Sequence, residues 1–265
     1  MPKVRLRGIG IAYDDVGSGP PVIFLHGFPF NRSMWREQQE ALAGHHRVIT
    51  VDLRGHGETD LAASPATMEE MASDVEALMD HLTVERAYLV GLSMGGYVAL
   101  TFCRRFPLRV RALALADTKA QADTEEAKAN RRAQAKQILR EGMEPITAAL
   151  LQKQLTPETL TTRSDVVERV RAMIIGTKPE AAAAALEGMA ERPDQRSFLS
   201  RIISPVLIIV GSNDTITTVA DAELMHHEIG GSRLEIISGA AHLSNLEQPN
   251  EFNRALAKFF ADLEQ

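Results

Sequence analysis

Short apolar runs and amphipathic helical stretches alternate along most of this chain, which predicts an α/β fold with a mainly parallel sheet covered on both faces by helices. Two further observations sharpen that expectation. From about Thr118 the alternation gives way to helical sequence without strand signals, which reads as a helical cap inserted into the α/β core. Residue types able to do chemistry also recur where the apolar runs stop: His26, Asp52, Ser93, Asp117, Asp214 and His242. In an open α/β sheet, the carboxyl ends of the strands are where ligands bind. The expected division is a core of residues 1–117 and 196–265 with a cap at 118–195.

Taken in order, Val4 to Asp14 holds two strand-like runs around Gly8-Ile9-Gly10, an antiparallel hairpin at a sheet edge. Val22–Leu25 is continuously apolar, as a strand buried on both faces is, and ends in His26-Gly27-Phe28-Pro29. A helix with Ser33 as its N-cap should run through Trp35 to about Leu42, with Trp35 packed under the preceding loop. The strand Arg47–Val51 leads into Asp52-Leu53-Arg54-Gly55-His56-Gly57, where a buried ion pair and glycine-assisted turns are expected. Thr67 should cap a helix reaching about Leu82, because Met68, Met71, Val75, Leu78 and Leu82 follow helical spacing. Ala87–Val90 and Val110–Ala116 are strands, separated by a helix that Pro107 stops. The cap should contain helices at Asp123–Glu141, Pro145–Leu155, Asp165–Ile175 and Pro179–Ala190. Strands at Val206–Val210 and Leu234–Ile237 and a last helix at Pro249–Leu263 complete the core.

Composition narrows the function classes. A formal charge of −6 argues against nucleic acid or an anionic membrane as partner. The single cysteine, Cys103, excludes an internal disulfide and sits in an apolar helix, where core packing explains it. No apolar run is long enough to span a bilayer and the N-terminus lacks an apolar signal core, so a cytoplasmic protein is expected. No cysteine or histidine set has metal-ligand spacing, and no phosphate-cradling glycine motif occurs, so neither metal nor cofactor is expected. Oligomeric state is not legible.

The informative stretch is Gly91-Leu92-Ser93-Met94-Gly95-Gly96, a G-x-S-x-G between a strand and a helix. In so sharp a turn the central residue is held in a strained conformation with its side chain lifted clear, and the flanking glycines let backbone pass close by. Ser93 would then stand at a helix N-terminus, where free N–H groups favour a developing oxyanion. A serine hydroxyl needs an imidazole base oriented by a carboxylate. His242 follows the last strand and is the expected base; Asp214 is favoured as the acid, with Asp117 its rival at another strand end. His26 comes too early in the chain for a base and should bond within its own loop. The backbone N–H groups of Phe28 and Met94 are the expected oxyanion donors, Pro29 having none to give. Phe28, Met94 and Leu243 are the candidates for contact with substrate.

Together His26-Gly27-Phe28-Pro29, Asp52-Leu53-Arg54-Gly55-His56-Gly57, Gly91-Leu92-Ser93-Met94-Gly95-Gly96, Asp214 after Gly211-Ser212-Asn213 and His242 before Leu243 resemble the α/β-hydrolase superfamily over nearly the whole chain. Within it, the chain is most similar to small esterases grouped with 3-oxoadipate enol-lactonases and cofactor-free haloperoxidases (perhydrolases). Serine at the elbow departs from the aspartate of epoxide hydrolases and haloalkane dehalogenases. The resemblance implies a serine hydrolase acting on a small-molecule carboxylic ester, with short acyl chains suggested by the modest, aromatic-poor cap. Its rivals are a lactonase, which a cation in the cap-side pocket would favour, a perhydrolase, which the proline after Phe28 resembles, and a non-catalytic binding protein on the same fold.

Overall fold

The computed structural model describes residues 2–62 and 66–264. Eight strands form one sheet: β1 (Lys3–Leu6), β2 (Ile9–Val16), β3 (Pro21–Leu25), β4 (Arg47–Val51), β5 (Ala87–Leu92), β6 (Val110–Ala116), β7 (Val206–Gly211) and β8 (Arg233–Ile237). Their spatial order is β1-β2-β4-β3-β5-β6-β7-β8, with β2 antiparallel to both neighbours and every pairing from β4 to β8 parallel. The two strands that flank the nucleophile candidate show why the centre reads as unbroken apolar sequence. β5 is buried along its whole length, and β3 is buried from Val22 onward. The turn between β1 and β2 falls at Arg7-Gly8, one step before the expected position, and Ile9 and Gly10 already belong to β2.

The helices of the core are α1 (Arg36–Leu42), α2 (Met68–His81) and α3 (Met94–Arg105). Between β6 and β7 lie α4 (Glu125–Glu141), α5 (Glu144–Gln154), α6 (Pro157–Thr162), α7 (Ser164–Ile175), α8 (Pro179–Ala190) and the single turn α9 (Arg196–Leu199). The chain ends with α10 (Val219–Glu228), α11 (Ser244–Glu247) and α12 (Pro249–Leu263). α2 packs on α3 and α1 on α12, two separate helical layers against the sheet. Thr67 caps α2 as expected, its hydroxyl accepting from Glu70 N–H. The expected cap at Ser33 is replaced by Asn31, whose side-chain oxygen accepts from Ser33 N–H and starts a 3₁₀ turn at Arg32–Trp35 before α1. An Asn two residues ahead competes effectively for that amide. Trp35 is fully buried between Phe24 and Phe252, with ring centroids 4.9 and 6.1 Å away.

α4 packs against α8, and α5 against α6 and α7. This block is fastened to the core at several points. Thr177 Oγ1 donates to Pro29 O at 2.6 Å, Thr156 N and Oγ1 both donate to the Glu247 carboxylate at 2.8 Å, and Arg169 pairs with Glu37. At Gly188 the helix backbone comes so close to Ala66 that a Cβ would lie 2.0 Å from the Ala66 carbonyl oxygen.

Candidate active site

β5 delivers Ser93 and α3 begins directly after it. Ser93 has φ 54° and ψ −113°, outside the regions a non-glycine residue ordinarily occupies. The glycines around it serve close approach. A Cβ on Gly91 would sit 2.3 Å from Gly95 O, and one on Gly95 would sit 2.0 Å from Leu25 O, so neither position admits a side chain. The Ser93 carbonyl accepts from the Thr118 hydroxyl at 2.8 Å, tying the turn to the chain beyond β6.

The loops after β7 and β8 bring Asp214 and His242 to the same place. His242 Nε2 lies 2.9 Å from Ser93 Oγ, and His242 Nδ1 lies 2.8 Å from Asp214 Oδ2. Since Asp214 accepts, Nδ1 carries the proton and Nε2 is the acceptor for the serine hydroxyl. Asp214 also accepts from Ile216 N at 2.8 Å, Thr217 N at 3.1 Å and Thr217 Oγ1 at 2.6 Å. Burial alone would raise the Asp214 pKa, but the charge and hydrogen bond of His242, with the Thr217 donors, hold it below the usual carboxylate range. Burial likewise pulls His242 down, but the charge and hydrogen bond of Asp214, with the Asp117 charge, together outweigh it and leave the imidazole above its ordinary value. Thr217 escaped sequence reading because a threonine in a loop carries no signal of its own.

Asp117, the rival acid, also ends a strand but does not reach His242. It is fully buried with φ 43°, accepts from Gly211 N at 2.8 Å and shares a hydrogen bond with the Ser244 hydroxyl. Burial and the neighbouring Asp214 charge push it up to about 8. His26 is buried, donates from Nδ1 to Gly27 O at 2.9 Å and accepts at Nε2 from Leu53 N at 2.9 Å; burial lowers it to about 4, so it stays neutral. Asp52 and Arg54 do form buried ion pairs, with partners outside their own loop. Asp52 pairs with Arg32, and Arg54 forks onto Asp74 of α2 with two 2.7 Å bonds. Sequence order hides both partners.

Phe28 lies on the loop after β3, and Met94, directly after Ser93, is the first residue of α3. Among the described residues neither backbone N–H has a hydrogen-bond acceptor, which is the condition for donating to an oxyanion. Phe28 also lines a cavity of about 390 Å³ that contains Ser93 and His242. The side chains of Met94 and Leu243 do not line it; both are fully buried in the core, and Leu243 N donates instead to Gln154 O at 3.3 Å. The far wall comes from the helices between β6 and β7: Arg131 and Gln134 of α4, Leu150, Lys153 and Gln154 of α5, Leu186 and Met189 of α8. Sequence reading found none of these, since lining a cavity depends on how the helices dock. Among the described residues no group of three metal-ligating side chains occurs, and no helix is long and apolar enough to cross a membrane.

A family model for the alpha/beta hydrolase fold matches residues 20–249. The chain belongs to the α/β-hydrolase family. Among α/β-hydrolases of known structure, an esterase from Thermogutta terrifontis with malate bound superposes with a TM-score of 0.97 and 39% identity over 100% of both chains. The enol-lactonase from Burkholderia xenovorans LB400 gives a TM-score of 0.92 at 29% identity, covering 98% of this chain and 100% of the other. In sequence, 3-oxoadipate enol-lactonase 2 of Acinetobacter baylyi is 34% identical over 237 residues, 89% of this chain and 87% of the relative. The α/β-hydrolase chain is thus similar to esterases and enol-lactonases along nearly its whole length.

Proposed function

We propose that this α/β-hydrolase is a serine carboxylic-ester hydrolase with a triad of Ser93, His242 and Asp214. The observation that carries the reading is the continuous Ser93–His242–Asp214 hydrogen-bond chain ending on a serine with positive φ. His242 Nε2 takes the hydroxyl proton as Ser93 Oγ bonds to the acyl carbon. The carbonyl oxygen becomes an oxyanion facing the Phe28 and Met94 N–H groups. The imidazolium, held by Asp214, returns its proton to the departing alkoxide, leaving an acyl-enzyme and a free alcohol. Water then repeats the cycle: His242 takes its proton, the hydroxide adds to the acyl carbon, and Ser93 leaves reprotonated with the carboxylic acid as product. The helices between β6 and β7 act as a cap over this site and supply the far wall of its 390 Å³ cavity.

A lactonase reading shares every step, because a lactone is an internal ester, and one observation favours it. Arg131 and Lys153 line the cavity. The Asp123 carboxylate that pairs with Arg131 also pairs with Arg192 at 2.9 Å, so two guanidinium groups face one carboxylate and positive charge remains in this wall. A substrate bearing its own carboxylate fits that excess, as do the enol-lactonase relatives and the malate held by the Thermogutta esterase. The test is hydrolysis of p-nitrophenyl esters from acetate to palmitate by wild type and Ser93→Ala, followed by carboxylated lactones. Short-chain activity abolished by Ser93→Ala is expected. Activity that survives the substitution, or rises toward palmitate, contradicts the proposal. Failure of Ser93 to react with a fluorophosphonate would favour a binding protein.

A further inference from the structure

The cavity at Ser93 does not end at the helices that wall it. Arg131 and Gln134 of α4 and Leu150 and Lys153 of α5 also line a second groove, of about 710 Å³, between the same two helices. From those four shared side chains the groove runs toward the turn at Gly142-Met143, past Gln137 and Arg140 on α4 and Pro145 and Ile146 on α5. Arg131 and Arg140 lie nine residues apart on one helix, so the groove extends about 13 Å along the α4 axis. Packing leaves this space open: α4 packs chiefly on α8, and Ala133 and Ala149 put little bulk between α4 and α5. The ionisable residues that line it, Arg131, Arg140 and Lys153, are all cationic, in a chain whose formal charge is −6. Lys153 forms no ion pair among the described residues, and Arg131 shares Asp123 with Arg192. Arg140 meets its neighbour Glu141 at 3.5 Å with 72% of its side chain exposed, while Glu141 also accepts from Gln137 at 2.9 Å. Most of the rim is exposed, so a neutral chain lying there would bury little surface. A carboxylate would meet a wall of one sign of charge.

We propose that this groove is an outer anion-binding subsite of the catalytic cavity, holding the remote carboxylate of an elongated ester while the scissile carbonyl lies at Ser93. The inference rests on the hydrolase reading above and adds to it a second position for negative charge, selected by chain length. Arg131 and Lys153, shared by both spaces, serve an anion close to the ester. Arg140, which lines the groove and not the catalytic cavity, serves an anion at the outer end and is the specificity-determining residue. Its contact is remote from the reacting atoms and equal in ground and transition state, so it acts on KM and leaves kcat alone. The recognising chemistry is the same whether the acyl or the alcohol half of the ester carries the carboxylate.

The test follows hydrolysis by pH-stat for wild type, Arg140→Gln and Arg140→Lys in two arms. The acyl arm compares monoethyl succinate, suberate and dodecanedioate with ethyl butyrate, octanoate and dodecanoate. The alcohol arm compares the acetate esters of ω-hydroxyoctanoate and ω-hydroxydodecanoate with octyl and dodecyl acetate. In one arm, wild type is expected to favour the long anionic ester over its neutral counterpart in kcat/KM by about twofold to fivefold, the range of an exposed ion pair. The advantage should lie in KM and shrink at high salt. Arg140→Gln should remove the part of it that grows with chain length, and Arg140→Lys should restore most of that part. The responding arm identifies which half of the ester enters the groove. Each comparison is a ratio on one enzyme, so partial loss of folded protein does not move it. No length-dependent advantage in either arm, or one that survives Arg140→Gln, overturns the proposal. An equal loss on monoethyl succinate and dodecanedioate also overturns it, because a general field acts on both and a distant subsite on the longer alone. No hydrolysis of any ester by wild type refutes instead the hydrolase reading, and this inference with it.

Discussion

Asp117 and Asp214 end adjacent strands, β6 and β7, and replacing Asp117 with asparagine tests the division of labour between them. Asp117 sits wholly out of water beside a carboxylate already committed to His242, and those two influences push it up to about 8. At neutral pH it is therefore protonated in the folded protein, whereas in the unfolded chain it titrates near 3.8. The folded state binds one more proton across that interval. The stability this contributes is complete below the unfolded pKa and is lost as pH rises toward the folded one. The slope is roughly 1 kcal/mol per pH unit, or a little more, so between pH 5 and pH 7 wild type should lose roughly 3 kcal/mol through this group. Asparagine has nothing to titrate and copies the shape of the protonated acid, its Oδ1 accepting from Gly211 N–H and its Nδ2 donating to the Ser244 hydroxyl oxygen. Urea unfolding of both proteins at the two pH values gives the comparison, other titrating groups being common to both. Asp117→Asn should gain roughly 3 kcal/mol relative to wild type on going from pH 5 to pH 7, with esterase activity within about threefold at pH 7. Parallel stability curves would mean that Asp117 is already ionised in the folded protein at pH 5. A collapse of activity would mean that it, and not Asp214, orients His242.

Three further outcomes follow from the same geometry. Asp214→Asn should lower kcat by about 10⁴, since the wrong imidazole tautomer then faces Ser93; a loss under tenfold would remove Asp214 from the triad. The acid limb of kcat/KM should have its midpoint above 6.5, because the charge and hydrogen bond of Asp214, with the Asp117 charge, together raise His242 more than burial lowers it; activity appears as pH rises and the imidazolium gives up its proton. A midpoint below 6.5, read from a pH series with an ester whose own ionisation is constant, would contradict that balance. Gly95→Ala should destabilise the fold by at least about 3 kcal/mol, because its Cβ would meet the Leu25 carbonyl at 2.0 Å and no flexible side chain is there to yield; thermal unfolding within a degree of wild type would refute the close-approach argument.

What could be read from the sequence follows how local each determinant is. The parallel strands were legible because burial on both faces writes itself as uninterrupted apolar residues, as in Val22–Leu25. Ser93 was legible because two constraints meet in six residues: a strained turn and a backbone approach that forbids Cβ at Gly91 and Gly95. His242 and Asp214 were placed by chain order and strand ends, and they meet Ser93 in space. Partners brought together only by folding were not legible. Asp52 finds Arg32 and Arg54 finds Asp74, with nothing in the intervening sequence to announce either pair. The short helices α9, α10 and α11 were missed for a related reason. α10 is held by its capping box between Thr218 and Asp221 and by packing on β7 and β8, and its apolar pattern is too weak to register alone.

The same contrast bears on where this hydrolase keeps its selectivity. The residues that would make and break the ester bond sit at strand ends, each fixed by the sheet and by buried hydrogen bonds. The residues that face the rest of the substrate come mostly from α4, α5 and α8, which make no pairing with the sheet. A scaffold arranged this way lets the wall change while the reaction stays the same, which is how esterases and enol-lactonases come to share it. The coupling between the two parts is concentrated where α5 ends. Gln154 reaches the Phe28 and Leu243 loops, and two residues on Thr156 donates to Glu247, whose other oxygen accepts from Ala241 N at 2.7 Å beside His242. Glu247 therefore joins the loop carrying His242 to the segment just after α5 with one carboxylate. Any substitution that moves α5 to alter selectivity must pass through these bonds. Among the described residues, α4 and α8 make no hydrogen bond to either loop, so changes within them should alter which ester is taken at less expense to the rate at which it is cleaved.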